Sequence, residues 1–128
     1  LTENPLSGVD ALLEYPFISR EEGSGTRNVI VDYLQSAGRD ISDLNLTMEF
    51  GSPESIKSAV VAGLGISILS VATLNKELEL GMLSKLSLDP PLTRPFSIVY
   101  QRQKFRLRAM DEFLEFTEAH CGEKQAAK

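Results

Sequence analysis

The chain has 128 residues, of which 42% are hydrophobic and 24% are charged, and its formal net charge is −5. This composition is near the globular average and excludes collagen-like, coiled-coil and disordered classes. The negative charge argues against a nucleic-acid-binding surface, which normally carries clustered lysine and arginine. No apolar run approaches the roughly 18 residues of a membrane span, so we expect no membrane association.

Two features bear on the cellular compartment. Cys121 is the only cysteine, so no internal disulfide can form, and this suits the reducing cytoplasm. Residues 1–5 show no positively charged segment ahead of an apolar one, so no secretory signal is visible there. We therefore expect a cytoplasmic protein. The chain does not begin with methionine, and a leader on a longer protein would not be visible here.

Apolar periodicity and turn residues predict helices that alternate with strands. The predicted helices cover residues 9–14, 26–37, 53–64, 71–78 and 107–117, and the predicted strands cover residues 15–19, 46–50, 66–69, 83–88 and 96–101. Such alternation with short connections indicates an α/β fold with a mainly parallel sheet flanked by helices. In these sheets, ligands bind beyond the carboxyl ends of strands, where loops lead into helix N-termini. That rule selects the loops at residues 19–26 and 51–54.

The first loop joins a strand that ends at Ser19 to a helix that begins near Thr26. Its glycines allow a tight turn, and Ser24 or Thr26 can cap the helix, whose free N–H groups favour an anion. No lysine follows the last glycine, and this disfavours a nucleotide-binding loop. The alternative is ordinary helix capping, with Arg27 in a surface ion pair.

The second loop starts a helix with Ser52 as the N-cap and Pro53 in the first helical position. A serine in this position usually satisfies its own helix, so the loop alone does not establish a ligand site. Two helix N-termini at one sheet edge would, however, converge their dipoles and free N–H groups on one small volume. The pair of loops therefore predicts a site for a small anionic ligand.

The residues that could carry catalysis or hold a metal do not form a recognisable set. His120 is the only histidine and lies beside Cys121 at the predicted end of the last helix, far in sequence from the serine loops. One histidine and one cysteine give no metal-ligand spacing, and nothing marks Glu21 or Glu22 as a general acid. We expect no enzyme activity, no metal and no cofactor.

Two sequence blocks resemble LysR-type transcriptional regulators. Residues 16–27, PFISREEGSGTR, resemble part of the second subdomain of their effector-binding domain, and residues 49–70 resemble its helix and glycine-rich turn. The resemblance implies one lobe of a type 2 periplasmic-binding-protein-like fold, with residues 1–100 as the second effector-binding subdomain. It also implies that residues 101–128 recross the hinge, near residues 100–105, and supply a helix that packs on the first subdomain, which this chain lacks.

The resemblance places the effector between the two subdomains. Together with the loops, it gives as candidate ligand-binding residues Ser19, Arg20, Glu21, Ser24, Thr26, Gly51, Ser52 and Pro53. The implied function is effector sensing in a bacterial transcription regulator, with DNA bound only through a helix-turn-helix domain outside this chain. The alternative is a lobe of a periplasmic solute-binding protein, which would need a secretory leader. We also expect a homo-oligomer, because Met110, Phe113 and Leu114 would lack their usual partner surface.

Overall fold

The computed structural model describes residues 8–94, 97, 99, 102 and 107–126. In these ranges the α-helices are α1 (Gly25–Ser36), α2 (Pro53–Val61), α3 (Asn75–Glu79) and α4 (Arg108–Ala126), and the strands are β1 (Pro16–Arg20) and β2 (Asn45–Phe50). Short 3₁₀ helices cover Val9–Glu14, Ile41–Asp43 and Val71–Thr73. The predicted strand at 96–101 and the predicted hinge at 100–105 lie mostly outside the described residues. The chain divides into two compact units, residues 1–94 and 95–128.

Strand β1 is the centre of the first unit because backbone pairs with it on both sides. On one side β2 runs parallel to it over its whole length. On the other side, the Ile66 N–H donates to the Pro16 carbonyl at 2.9 Å, and the Ile66 carbonyl accepts from the Ile18 N–H at 2.9 Å. Pro16 has no N–H to donate, and it occupies the first position of the strand, which begins one residue later than predicted.

Neighbouring side chains of β1 enter two separate packing layers. Phe17 and Ile18 are both fully buried, and successive residues of a strand point to opposite faces of the sheet. Phe17 belongs to the same apolar cluster as Leu34 of α1, whereas Ile18 packs with Ile56 of α2. The predicted α/β class, a parallel sheet with helices on its faces, is therefore confirmed for the described part of the chain.

The helices α1 and α2 both end at a glycine that adopts a left-handed conformation. Gly38 and Gly63 have φ angles of +74° and +79°, which glycine adopts without steric cost. After α2, the N–H groups of Gly63 and Leu64 donate back into the helix at 2.9 and 3.1 Å. The helix therefore ends at Val61, earlier than predicted, and Leu64, which the prediction includes in the helix, is exposed.

The predicted strand at residues 66–69 is wrong, because pairing stops at a single bridge between Phe17 and Ile66. In a parallel arrangement, the next hydrogen bond would run from the Ile68 N–H to the Ile18 carbonyl. The side-chain hydroxyl of Ser67 donates to that carbonyl at 2.7 Å. A side chain thus occupies the acceptor that a continuing strand would use.

The predicted strand at residues 83–88 is also wrong, since these residues have no regular secondary structure. Their half-buried apolar side chains, Leu83, Leu86 and Leu88, help to line a mostly apolar cavity of about 420 Å³. These leucines therefore line the cavity without a neighbouring strand to supply hydrogen bonds.

Strand β2 has the predicted position but less than the predicted burial. Leu46 and Met48 are among the exposed large apolar residues. Within the described residues, β2 has a neighbouring strand on one side only. It lies at an edge that the α1 and α2 layers cover incompletely, so alternation in its sequence overstates its burial.

Residues 71–78 form a 3₁₀ turn followed by α3, where the sequence predicts one short helix. A buried lysine of α2 holds this segment: the Lys57 ammonium donates to the Thr73 carbonyl at 3.1 Å and to the Glu77 carboxylate at 2.9 Å. It also contacts Glu54 at 3.0 Å. Hydrogen bonds to Glu77 and Glu54 raise the pKa of Lys57, and the same ammonium lowers the pKa of Glu77.

The second unit contains α4, which is longer than predicted and continues to Ala126. His120 therefore lies inside the helix, not at its end, and its ring stacks on Phe116 with the ring centroids 5.1 Å apart. Across the described ranges, none of the helices has the length and apolarity required to cross a membrane.

A substitution at Gly65 tests the pairing of the segment around Ile66 with β1. A Cβ atom at this position would collide with the carbonyl oxygen of Pro16, a rigid backbone atom. We expect Gly65→Ala to lower the free energy of unfolding by about 2 kcal/mol, measured by urea denaturation followed by circular dichroism. Gly51→Ala is the control, because a Cβ there meets no atom within 4 Å. Equal losses in the two variants would contradict the assigned pairing.

Candidate functional site

The two predicted loops begin next to each other, at the neighbouring carboxyl ends of β1 and β2. Arg20 and Phe50 form the last pair of the sheet, and beyond them the Glu21 N–H donates to the Phe50 carbonyl at 3.1 Å. The helices α1 and α2 begin a few residues further along each loop. The structure therefore places both helix starts at the same edge of the sheet.

The serines in both loops cap their own helices. The Ser24 hydroxyl accepts a hydrogen bond from the Arg27 N–H at 3.0 Å, and the Ser52 hydroxyl accepts from the Ser55 N–H at 3.2 Å. The hydroxyls of Ser52 and Ser55 also share a hydrogen bond of 3.0 Å. Capping by one side chain satisfies one of the four N–H groups that a helix start leaves without an intrahelical partner. Further donors thus belong to the first turn of each helix.

The other candidate residues differ in their accessibility. Gly51 is exposed, and Thr26 and Pro53 are half-buried in the first turns of their helices. Ser19 is buried, and its hydroxyl donates to the Arg20 carbonyl at 3.0 Å. The structure thus brings the second loop and the start of α1 to the surface together, with Ser19 beneath them.

Arg20 and Glu21 form a two-point ion pair at the end of β1. The Nε of Arg20 donates to one carboxylate oxygen at 2.9 Å, and its Nη2 donates to the other at 3.1 Å. These hydrogen bonds lower the pKa of the Glu21 carboxyl and raise the pKa of the Arg20 guanidinium. Both groups therefore carry their full charges near neutral pH.

Arg27 connects the start of α1 to both strand ends, a role that the sequence does not predict. Its Nη1 donates to the Arg20 carbonyl at 3.1 Å and to the Glu49 carboxylate at 2.6 Å. Only 15% of the Arg27 side chain is exposed, but 52% of the Glu49 side chain is exposed, so the pair lies at the surface on its Glu49 side. The local sequence pattern does not indicate Glu49 as the partner of Arg27, because Glu49 occupies an ordinary polar position of an alternating strand.

Arg94 also lies at this edge of the sheet and is absent from the predicted site. A Cβ atom built on Gly25 would lie 2.6 Å from its Nη2 atom. The Arg94 guanidinium therefore rests against the first residue of α1. Because the two residues are distant in sequence, no motif or spacing could have indicated the contact.

The arrangement offers hydrogen-bond donors and no assembled reactive group. Guanidinium, hydroxyl and backbone N–H groups all donate hydrogen bonds, and they suit the oxygen atoms of a carboxylate, sulfate or phosphate. In the described ranges, no three histidine, cysteine, aspartate or glutamate side chains lie where they could share a metal ion. Among the described residues, the groups at this edge can therefore recognise a ligand through hydrogen bonds and fixed charges.

The Arg27 connection gives a stability prediction. We expect Arg27→Gln to lower the free energy of unfolding by about 1 kcal/mol, because it removes the charge-assisted hydrogen bond to Glu49 and one of the two hydrogen bonds that the Arg20 carbonyl accepts. Urea denaturation measures the loss, and a cycle with Glu49→Gln isolates the pairwise part.

Arg39→Gln is the matched control, since Arg39 pairs with Asp10 at the surface. An exposed pair contributes about 0.5 kcal/mol, so its loss should be clearly smaller. Similar losses at the two arginines would contradict a special role for Arg27.

Comparisons with known proteins agree in pointing to one family. The sequence model of the LysR substrate binding domain matches residues 2–122. The chain is 38% identical over 117 residues to the uncharacterized HTH-type transcriptional regulator YeiE of Escherichia coli K12, covering 91% of this chain and 39% of YeiE. It is 37% identical over 113 residues to the HTH-type transcriptional activator CmpR of Synechocystis, covering 88% of this chain and 36% of CmpR.

A third relative is the HTH-type transcriptional regulator CbbR of Rhizobium meliloti, which is 34% identical over 119 residues. That match covers 88% of this chain and 37% of CbbR. The chain thus spans less than two fifths of the length of each of these three relatives.

Proposed function

This chain belongs to the LysR substrate binding domain family, and from that membership we propose that it is the ligand-sensing part of a bacterial transcription regulator. Three relatives are named as HTH-type transcriptional regulators or activators. Their names favour a regulator over the alternative, a lobe of a periplasmic solute-binding protein. In this proposal the protein acts in the cytoplasm, and DNA is bound by a helix-turn-helix domain outside this chain.

The observation that carries the proposal is the start of two helices from adjacent ends of one parallel sheet. Sites of this kind lie beyond the carboxyl ends of strands, where helix N-termini favour anions. We propose that a small anionic effector binds there against the two loops. The residues proposed to form this site are Ser19, Arg20, Glu21, Ser24, Thr26, Gly51, Ser52 and Pro53.

The proposed domain organisation follows from family membership. Residues 1–100 would form the second effector-binding subdomain, one lobe of a periplasmic-binding-protein-like fold. Residues 101–128 would recross the hinge and supply a helix to the first subdomain. The division of the chain near Arg94 supports a boundary in this region. The first subdomain would form the other wall of the effector cleft, so we expect weak binding by this chain alone.

We propose a binding module rather than an enzyme. The relatives are named as transcriptional regulators, and the groups at the sheet edge serve recognition: they donate hydrogen bonds and carry fixed charges. Ligand binding would then act by favouring one of two arrangements of the regulator, in proportion to its difference in affinity for them.

Ser52 provides the test of the proposed site. We expect sodium sulfate to bind the chain weakly and Ser52→Ala to weaken that binding by about threefold or more, because the variant loses the N-cap and loosens the first turn of α2. Isothermal titration calorimetry at constant ionic strength measures the affinity.

Ser58→Ala is the control for this measurement. Its hydroxyl donates to the Glu54 carbonyl on the same helix, away from the N-cap. Its sulfate affinity should equal that of the unaltered chain. If Ser52→Ala binds sulfate as tightly as Ser58→Ala, Ser52 is not part of the site.

We also propose that the protein forms homo-oligomers. In α4, the Phe113 and Phe116 side chains are 60% and 64% exposed, and large apolar side chains exposed along one helix mark interaction surfaces. Light scattering of the chain should report a dimer or larger species, and Phe113→Glu should reduce the fraction of that species. Glu115→Gln, a change at a polar position of the same helix, should leave it unaltered. A monomer at every concentration would contradict the proposal.

A further inference from the structure

The Arg20–Glu21 ion pair differs from the other ion pair at the same sheet edge. Arg27 and Glu49 are 22 positions apart, so their pair fixes α1 against β2. Arg20 and Glu21 are neighbours in sequence, and their side chains can meet without the rest of the fold. Such a pair adds little to the stability of the native state, because the unfolded chain can form it too. The Arg20–Glu21 pair therefore serves a role other than stabilising the fold.

The geometry of the pair is that of an arginine bound to a ligand carboxylate. The Nε and Nη2 atoms each contact a different oxygen of Glu21, at 2.9 and 3.1 Å. Arginine uses the same two-point arrangement to recognise carboxylate and phosphate groups in general. The edge of the guanidinium that would receive an oxyanion is thus occupied by a carboxylate of the chain itself.

The two partners are held very differently. Arg20 ends the central strand, its side chain is only 18% exposed, and its carbonyl accepts from Arg27. The Glu21 side chain is 41% exposed and lies in the loop. Its backbone is fixed by the hydrogen bond to Phe50, so rotation of the side chain alone can move the carboxylate into solvent. Glu21 is the partner that can leave, and Arg20 is the partner that stays.

We propose that Glu21 is a built-in competitor for Arg20, which an oxyanion ligand of the loops displaces when it binds. This inference rests on the proposed function, because it assigns the chemistry and the control of the same site. The ligand group is an oxyanion with at least two oxygens, such as a carboxylate or sulfate, that fits the guanidinium edge. The competitor lowers the affinity, so the site fills only at higher ligand concentrations. Binding also releases the loop carboxylate.

The test compares Glu21→Gln with Glu22→Gln in titrations with sodium sulfate and sodium acetate at constant ionic strength. Both variants lose one negative charge from the same loop, but Glu22 is exposed and has no bond to Arg20 among the described contacts. We expect Glu21→Gln to bind both anions roughly two- to fivefold more tightly than the unaltered chain, the range for an exposed ion pair. Glu22→Gln should show a clearly smaller gain.

Arg20 supplies the second arm of the test. In an Arg20→Gln background, Glu21→Gln should no longer improve binding, because the group for which it competes is gone. Arg20→Lys keeps the charge but lacks the planar edge, so it should not restore the effect of Glu21→Gln. Circular dichroism and thermal unfolding of each variant confirm that the fold is intact.

The outcomes separate this inference from the proposed function. If the unaltered chain binds sulfate and the two glutamine variants gain equally, the competitor role is wrong while the binding site stands. A gain at Glu21→Gln that persists without Arg20 also overturns it. If neither anion binds any of the variants, the proposed site and the competitor role both fail.

Discussion

The first unit depends on the burial of the three middle residues, Phe17, Ile18 and Ser19, of a single five-residue strand. Strand β1 places Phe17 in one apolar layer and Ile18 in the other, and each fully buried side chain of this size contributes roughly 1.5–3 kcal/mol. Its backbone pairs with β2 on one side and with Ile66 on the other. Because the pairing is parallel, the ends of β1 and β2 lie together. The position of the candidate site is therefore a consequence of core packing.

Elements that rest on local chemistry could be predicted from the sequence. Ser52 caps α2 as the sequence predicts, and Ser24 is one of the two caps that the sequence offers for α1, because capping depends on a few neighbouring residues. Strand pairing depends on a distant partner. The leucines of residues 83–88 therefore pack along a cavity without forming a strand, and after Ile66 the Ser67 hydroxyl takes the Ile18 carbonyl that a continuing strand would use.

The location of the candidate site was predictable, but much of its electrostatics was not. Topology alone selects the two loops, because parallel strands direct their carboxyl ends to one edge. The contacts of Arg27 with Glu49 and of Arg94 with Gly25 join residues far apart in sequence, and no periodicity encodes them. The same holds for Lys57, whose position in a helical stripe gives no hint that α3 supplies its carboxylate partner. Predicting such charge pairs requires knowing which residues are neighbours in the folded chain.

The hydrogen bond of the Ser67 hydroxyl affects whether a strand of another molecule can add to the sheet. A sheet edge with open carbonyl acceptors is a template on which a strand from another chain can add and begin aggregation. At this edge the Ile18 carbonyl already accepts from Ser67 at 2.7 Å, and residues 67–70 form no strand. One side-chain oxygen thus limits the growth of the sheet on this side of β1 and also protects this edge against unwanted strand exchange with other molecules.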